Sequence, residues 1–370
     1  MNMVDNKSGP KLASLLLFGA CLGLAPSRAF AWGYVGHRAI GILAQQRLTP
    51  QALSAVQSIL GQSDQGQDVS LADVATCPDD VKYAKQDPYT CAGAFELASG
   101  EQSAFGTVQI PWKASSGWHF ANVPNSASPT ASDIEQYCQD NTNGNPAKKC
   151  VMAQIKYDIQ ILETPGESLS NRQMALMFLT HFVGDEHQPL HVNDDNDWGG
   201  NKKKVVFEGK PWNLHSLWDD VFMPRYGAMT ETGAAQAADS SDLAAKLDQD
   251  LGNRDTSAWT SVPDLPDEAA VESFDIAKDV IRPVYAQDYD PSQNAAVFGP
   301  DYVKQMQPIA YEQLEKAGVR LAYILNQIFA QPMAAPARAP VVKSKASFEK
   351  ALDGVLNFSF LKGAAWDGGN

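Results

Sequence analysis

The stretch NRQMALMFLTHFVGDEHQPLHV, residues 171–192, constrains the fold more than any other part of the chain. Its apolar residues recur at helical spacing up to a stop at Pro189, yet His181 and Asp185 stand four apart inside it. That interval puts an imidazole and a carboxylate on one face of a helix. The segment NLHSLWDD repeats the interval with His215 and Asp219, and His191 follows just beyond Pro189. A single helical His–Asp pair is often a surface ion pair. Here there are two such pairs, and five of the chain's six histidines, His37, His119, His181, His191 and His215, sit in settings that suit metal binding. The combination points to zinc, which takes imidazole nitrogen and carboxylate oxygen.

Apolar positions recur with helical period over Val35–Leu48, Pro50–Leu60, Ala153–Thr164, Asn171–Glu186, Leu214–Arg225, Thr232–Leu251, Glu268–Ala286 and Tyr302–Ala330. The best strand signal is Lys204–Phe207 before the turn Glu208-Gly209-Lys210, half of a small hairpin. The expected class is therefore all-α, with long loops. Residues 88–116 show no clear period and read as an insertion, and the Gly-, Asn- and Asp-rich run from Asn193 to Asn201 reads as a loop. Although 370 residues could hold two domains, we expect one catalytic domain over 32–331. Beyond it, 332–345 reads as a linker and Ser347–Phe358 as a short amphipathic piece of a tail ending at 370.

Residues 1–31 carry Lys7 and Lys11, an apolar run from Leu12 to Ala25, and small Ala29 and Ala31, the pattern of a signal peptide cut after Ala31. A membrane anchor is the competing reading, but the run is short, interrupted by Gly19 and Gly23, and closed by Pro26. The expected location is secreted or periplasmic, without stable membrane association. The formal net charge is −14, and loss of the leader makes it two units more negative. Such a chain has no basic face with which to neutralise many phosphates, so any nucleic acid must be gripped locally, by metal and by stacking. Cleavage also removes Cys21 and leaves Cys77, Cys91, Cys138 and Cys150. An even number in an exported chain implies two disulfides, and of three connectivities the sequence-local Cys77–Cys91 and Cys138–Cys150 is favoured. A four-cysteine zinc site is disfavoured because CxxC spacing is absent.

Several motifs in one order carry a family resemblance. The start WGYVGHRAI, Trp118-His119-Phe120, HFVGDEHQPLHV, Gly199-Gly200-Asn201 and NLHSLWD together resemble the zinc-dependent S-one/P-one nucleases of fungi, plants and bacteria, and AYEQLEKAGVRLAYILNQIF fits the same family. The resemblance implies three zinc ions. Asp79, His119, His181 and Asp185 would hold one; Asp185 would bridge to a second, completed by His37 and by the amine and carbonyl of Trp32; His191, His215 and Asp219 would hold the third. It further implies hydrolysis of single-stranded RNA and DNA at the 3′ oxygen, leaving 5′-phosphate ends, with 3′-nucleotides as related substrates, and no obligate protein partner is evident. Asp79 would orient the attacking water.

The chain departs from the family where it reads Ala75-Thr76-Cys77-Pro78 in place of Trp-Ala before the first aspartate, which leaves Asp73 and Asp80 as competitors of Asp79. Lys82 and Asn201 resemble phosphate contacts; the plain alternatives are a solvated lysine and a left-handed turn residue. Phe120 and Asn122 resemble a base pocket, with a core aromatic as the alternative for Phe120. His187 and Trp198 match no direct role, and His187 is expected to support or pack. Two other functions remain open: a zinc phospholipase C, which also begins its mature chain with a Trp ligand, and an exported zinc-binding protein without turnover.

Overall fold

The computed structural model describes residues 32–330 apart from 83–88, 94, 98–100, 104–105, 109–111, 142–144 and 224–232. The expected signal peptide and the linker and tail therefore lie outside the described residues.

Among the described residues helix α1 (Gly33–Gln45) comes first, and α2 (Pro50–Leu60) follows, its first turn capped by Thr49, whose hydroxyl accepts from Ala52 N at 3.2 Å. Two short helices come next, α3 (Leu71–Val74), closed by a Ser70/Asp73 capping box, and α4 (Cys77–Val81). A β-carbon on Gly41 would come 2.8 Å from Ala72 N, so the glycine lets α1 press directly on α3. The insertion contains strands after all. β1 (Tyr89–Cys91) pairs antiparallel with β2 (Phe95–Leu97), and β3 (Glu101–Ser103) with β4 (Gly106–Val108). These three-residue strands are too short for an alternating pattern to show. The Cys77–Cys91 disulfide ties the first ribbon to α4, and Cys138–Cys150 closes a second loop, as the local connectivity requires.

Helix α5 (Val151–Glu163) leads to α6 (Leu169–Glu186), the centre of the molecule. Every residue of α6 from Met174 to Glu186 is buried, which a helix can tolerate only if neighbours surround it. Strands β5 (Lys204–Phe207) and β6 (Lys210–Asn213) form the expected hairpin, with Glu208 and Gly209 both at positive φ, the geometry of a tight two-residue turn. Helices α7 (Leu214–Asp220), α8 (Gly233–Leu251), α9 (Leu265–Ile276) and α10 (Arg282–Gln287) follow. α9 runs into α10 through a π-helical turn at Ala277–Ile281. Pro283 has no N–H to give the carbonyl four residues back, and the wider turn accommodates its ring. Then β7 (Tyr289–Asp290) and β8 (Ala295–Phe298) enlarge the hairpin to a four-stranded sheet of order β6-β5-β8-β7, with β5 and β8 parallel. The long α11 (Pro300–Ile328) ends the described chain and packs on α1, α6 and α8. The architecture is thus helical, as expected, with a larger sheet than the sequence revealed.

Among the described residues no helix is long and apolar enough to cross a membrane. α9 and α11 are joined by ions: Glu272 accepts from Arg320 Nη2 at 2.8 Å and meets Lys316. Burial pushes the Glu272 carboxyl up, but the two cations more than offset it and hold it at about 2. The folded pKa lies below the unfolded one, so this stabilisation is complete above about pH 4.5 and is lost as the pH falls toward 2. We expect Glu272→Gln to destabilise the protein at neutral pH by on the order of 2 kcal/mol, between surface and buried ion-pair values. Denaturant melts of the two proteins should converge as the pH is lowered through that window; a difference independent of pH would contradict the assignment.

Candidate metal centre

Five elements deliver the five histidines to one region. α1 brings His37, α6 brings His181 and Asp185, α7 brings His215 and Asp219, the turn at Pro189–His191 brings His191, and the strand-like segment after Trp118 brings His119. Backbone carbonyls fix three of the rings. His181 Nδ1 donates to Ala75 O at 2.7 Å, His191 Nδ1 to His119 O at 2.6 Å and His215 Nδ1 to Gly199 O at 2.8 Å. A carbonyl can only accept, so each of these rings carries a proton on Nδ1, and Nε2 is the atom left to face the cluster. Burial lowers His191 to about 3 and His119 and His215 to about 4, which keeps these rings neutral near pH 7.

The lone pairs converge in three groups, His37/His181/Asp185, Asp79/His119/His181 and His191/His215/Asp219, with ligand atoms inside each group within 4.8 Å of one another. Asp185 stands between the first two. Its Oδ1 lies 3.3 Å from His37 Nε2, while its Oδ2 lies 2.8 Å from His119 Nδ1 and 3.2 Å from His181 Nε2. Asp79 Oδ1 is 3.6 Å from His181 Nε2 and 3.8 Å from His119 Nδ1. In the third group Gln188 Nε2 donates to Asp219 Oδ1 at 2.7 Å and leaves Oδ2 to face His215 Nε2 at 3.8 Å. His37 Nε2, Asp185 Oδ1, His191 Nε2 and Asp219 Oδ2 are buried with no hydrogen-bond partner. Buried polar atoms are almost always bonded, and a convergence of orphaned acceptors fits a cation. Burial, with Asp220 beside it, pushes the Asp219 carboxyl well above its ordinary range, a penalty that a cation would remove.

Local backbone chemistry makes room for this. A β-carbon on Gly184 would lie 2.7 Å from His37 Nδ1, so glycine there lets the His37 ring stack on His181 at 3.9 Å. Gly199, at φ +61°, would meet Leu190 O at 2.4 Å. The Trp32 ring is fully buried, and its Nε1 donates to Gly184 O at 3.0 Å, anchoring the start of α1 beside Asp185.

The three aspartates occupy different positions. Asp73 caps α3 and pairs with Arg38, and Asp80 accepts from Tyr34 Oη at 2.6 Å; Asp79 is the one in the cluster. Lys82 is no solvated lysine: its side chain is only 9% exposed and its ammonium ion-pairs with Asp79. Asn201 is not at positive φ; Asn196, Trp198, Gly199 and Gly200 are, and the Asn201 amide donates to Trp198 O at 2.8 Å. Phe120 is 37% exposed rather than a core aromatic, and Asn122 is exposed beside it. Lys82, His119, Phe120, Asn122, His191, Asn201 and His215 all line one cleft of about 480 Å³. His187 packs instead, with Nδ1 on Val183 O and Nε2 2.8 Å from Arg320 Nη1.

In the sequence Trp198 matched no direct role, and two further contributors, Gln188 and Arg282, left no signal. Trp198 lines the same cleft, Gln188 fixes Asp219, and buried Arg282 clamps Asp197 in the loop before Asn201. The signal at Trp198 was its place as a large aromatic abutting two glycines; Arg282 lies 85 residues from its partner and leaves no local signal.

Fold and site together define a helical protein with three buried His/Asp groups that could hold metal, gathered beside a single cleft. The chain belongs to the S1/P1 nuclease family: the sequence model described as S1/P1 Nuclease matches residues 32–330. It is similar to Endonuclease 3 of Arabidopsis thaliana, 30% identical over 81% of this chain and 90% of that one. It is also similar to Nuclease S1 of Aspergillus oryzae, 29% identical over 86% and 98% of the two chains. Nuclease P1 of Penicillium citrinum is 28% identical over 82% of this chain and all of its own.

If Asp79 is a ligand and Asp80 a brace for Tyr34, the two variants separate. Asp79→Asn should reduce the stabilisation that added zinc gives the chelator-treated protein by about 1.4–2.7 kcal/mol for a 10–100-fold loss of affinity, read as a smaller rise in Tm. Asp80→Asn should lower the metal-free Tm and keep the zinc-dependent rise. The reverse pattern would contradict the assignment.

Proposed function

We propose that this nuclease-family chain is an exported, zinc-dependent endonuclease that hydrolyses single-stranded RNA and DNA to 5′-phosphate ends and removes 3′ phosphates from nucleotides. The observation that carries the reading is the convergence of orphaned imidazole and carboxylate lone pairs whose His119, His191 and His215 line the cleft that also presents the Phe120 ring. In it, Asp79, His119, His181 and Asp185 would hold one zinc; Asp185, His37 and the amine and carbonyl of Trp32 a second; and His191, His215 and Asp219 a third. When bound, the ions supply Lewis-acid stabilisation of phosphate charge and lower the pKa of water toward 7.

The chain's own groups do the rest. Asp79, held by Lys82, orients the attacking water and receives its proton. The Lys82 ammonium and the Asn201 amide face the nonbridging oxygens, where negative charge builds in the transition state. Phe120 stacks on a base and Asn122 bonds its edge, which requires an unpaired base with an open face and so favours single strands. Because the chain is acidic overall, little of the binding energy comes from counterion release, and the salt dependence of KM should be shallow.

The amine of Trp32 exists only once the bond after Ala31 is cut, since an amide nitrogen does not bind zinc as a free amine does. Two measurements test the reading. Protein beginning at Trp32, assayed against single-stranded DNA, 3′-AMP and phosphatidylcholine with and without chelator, should hydrolyse the first two in a chelator-sensitive way and leave the lipid intact. One extra alanine before Trp32 should lower both zinc content and turnover, and equal values for the two proteins would remove the amine from the ligand set. Phe120→Ala should reduce kcat/KM on single strands about 5–150-fold, the equivalent of about 1–3 kcal/mol of stacking, without a comparable fall in Tm.

A further inference from the structure

A groove of about 550 Å³ lies between α9 and α11, and it shares no lining residue with the metal cleft. Its volume falls among those of small-molecule sites, about 300–1,000 Å³. The two helices are joined there by ions, and each wall is interrupted: Val280 belongs to the π-helical turn that follows α9, and Ile309 comes directly after Pro308 inside α11. A widened turn and an internal proline both hinder close packing of helix on helix. The side chains of Val271, Ile276, Val280 and Ile309 therefore line a gap.

The same walls carry four carboxylates, Glu268, Glu272, Asp275 and Glu312, against a single ammonium, Lys316. Lys316 is already shared between Glu272 and Glu312, which leaves Glu268 and Asp275 without an ion-pair partner among the described residues. Burial, with Asp279 beside it and Lys278 offsetting only part, pushes the Asp275 carboxyl up. An independent feature lies deeper. Gln313 is 1% exposed and lines the groove; its Nε2 donates to Glu272 Oε1 at 3.4 Å, and its Oε1 has no hydrogen-bond partner. Turning the amide round does not help, because the Glu272 carboxylate can only accept. A buried amide oxygen without a donor is rare and costly, so the groove is short of one N–H group.

A metal ion does not answer this need. Among the described residues, the groups whose ligand atoms converge within 4.8 Å all belong to the metal centre, and none includes a groove residue. An ammonium group does, since it has three donors and no acceptor, and its bonds to carboxylates are charge-assisted. Glu268 and Asp275 lie seven residues apart on α9, about 10 Å along the axis, a span that suits two ammonium groups joined by a short alkyl chain. We propose that this groove binds a linear aliphatic di- or polyamine, with ammonium groups on Glu268, Asp275 and Gln313 Oε1 and methylenes against Val271, Ile276, Val280 and Ile309. The site stands apart from catalysis and does not depend on the nuclease reading.

Isothermal titration of the zinc-loaded mature protein with hexamethylenediamine tests this. Binding should saturate at one site and weaken with salt, and hexanediol, the same stem without charge, should not bind. Glu268→Gln with Asp275→Asn should lower the affinity about tenfold. Gln313→Leu should do so to a similar extent, about tenfold, by removing the acceptor. Glu163→Gln with Asp242→Asn, which removes the same charge from exposed positions elsewhere, should leave the affinity within about twofold. The surface double variant keeps the test decisive should Gln313→Leu fail to fold. Equal losses in the two double variants would reduce the binding to general attraction by an acidic chain, and binding that survives the groove variants would place the amine at the zinc ions or the cleft. Either result overturns the site, as would binding of hexanediol or no saturation up to about 10 mM amine.

Discussion

The carboxylate of Asp185 is fully buried in the middle of α6, with imidazoles of α1, α6 and the Trp118–Phe120 segment around it. An isolated buried carboxylate costs several kcal/mol in desolvation, so the molecule around it must supply positive charge. Neutral imidazoles offer lone pairs and at most a few N–H groups, and the carbonyls of Ala75, His119 and Gly199 hold the Nδ1 protons of His181, His191 and His215. What remains is a ring of acceptors facing inward. Much of the fold follows from this need. α6 must be enclosed on all sides, α1 must come close enough for His37 to stack on His181, and Gly184 must lack a side chain for that to happen. The residue before α1 is drawn in with it, because Trp32 is bolted to Gly184 O.

The rim of the cleft is made differently, by loops whose rigidity comes from buried polar clamps instead of apolar packing. The loop from Asn193 to Asn201 hangs from Arg282, while the carbonyl of Phe120 accepts from Val151 N next to the Cys138–Cys150 disulfide. Ala121 N bonds His191 O, so the segment with His119 and Phe120 and the turn with His191 move as one. Such coupling keeps His119, Phe120 and His191 in register, as any chemistry in which a displacement of about 1 Å is costly requires.

Much of this was legible in the sequence because helical periodicity and the His-x-x-x-Asp interval are local signals. The helices around α6 and the paired residues His181/Asp185 and His215/Asp219 needed only residues three or four apart. The register at Asp79 needed the family pattern, since Asp73, Asp79 and Asp80 look alike in isolation; only the fold shows Asp73 as a cap and Asp80 as the acceptor of Tyr34. β7 and β8 were missed because strands of two and four residues show no usable alternation, and their place in the sheet depends on a parallel pairing with β5 from far along the chain. Arg282 and Gln188 were invisible for the same reason: each acts on a partner distant in sequence, and neither residue type is distinctive.

The central claim is that the orphaned acceptors of the three His/Asp groups exist to hold three metal ions. Elemental analysis of the purified mature protein, after exchange into metal-free buffer, tests this most directly. The account predicts three zinc ions per chain, falling to two in His215→Ala, whose ring serves only the third group. Full activity with one zinc or none would contradict it.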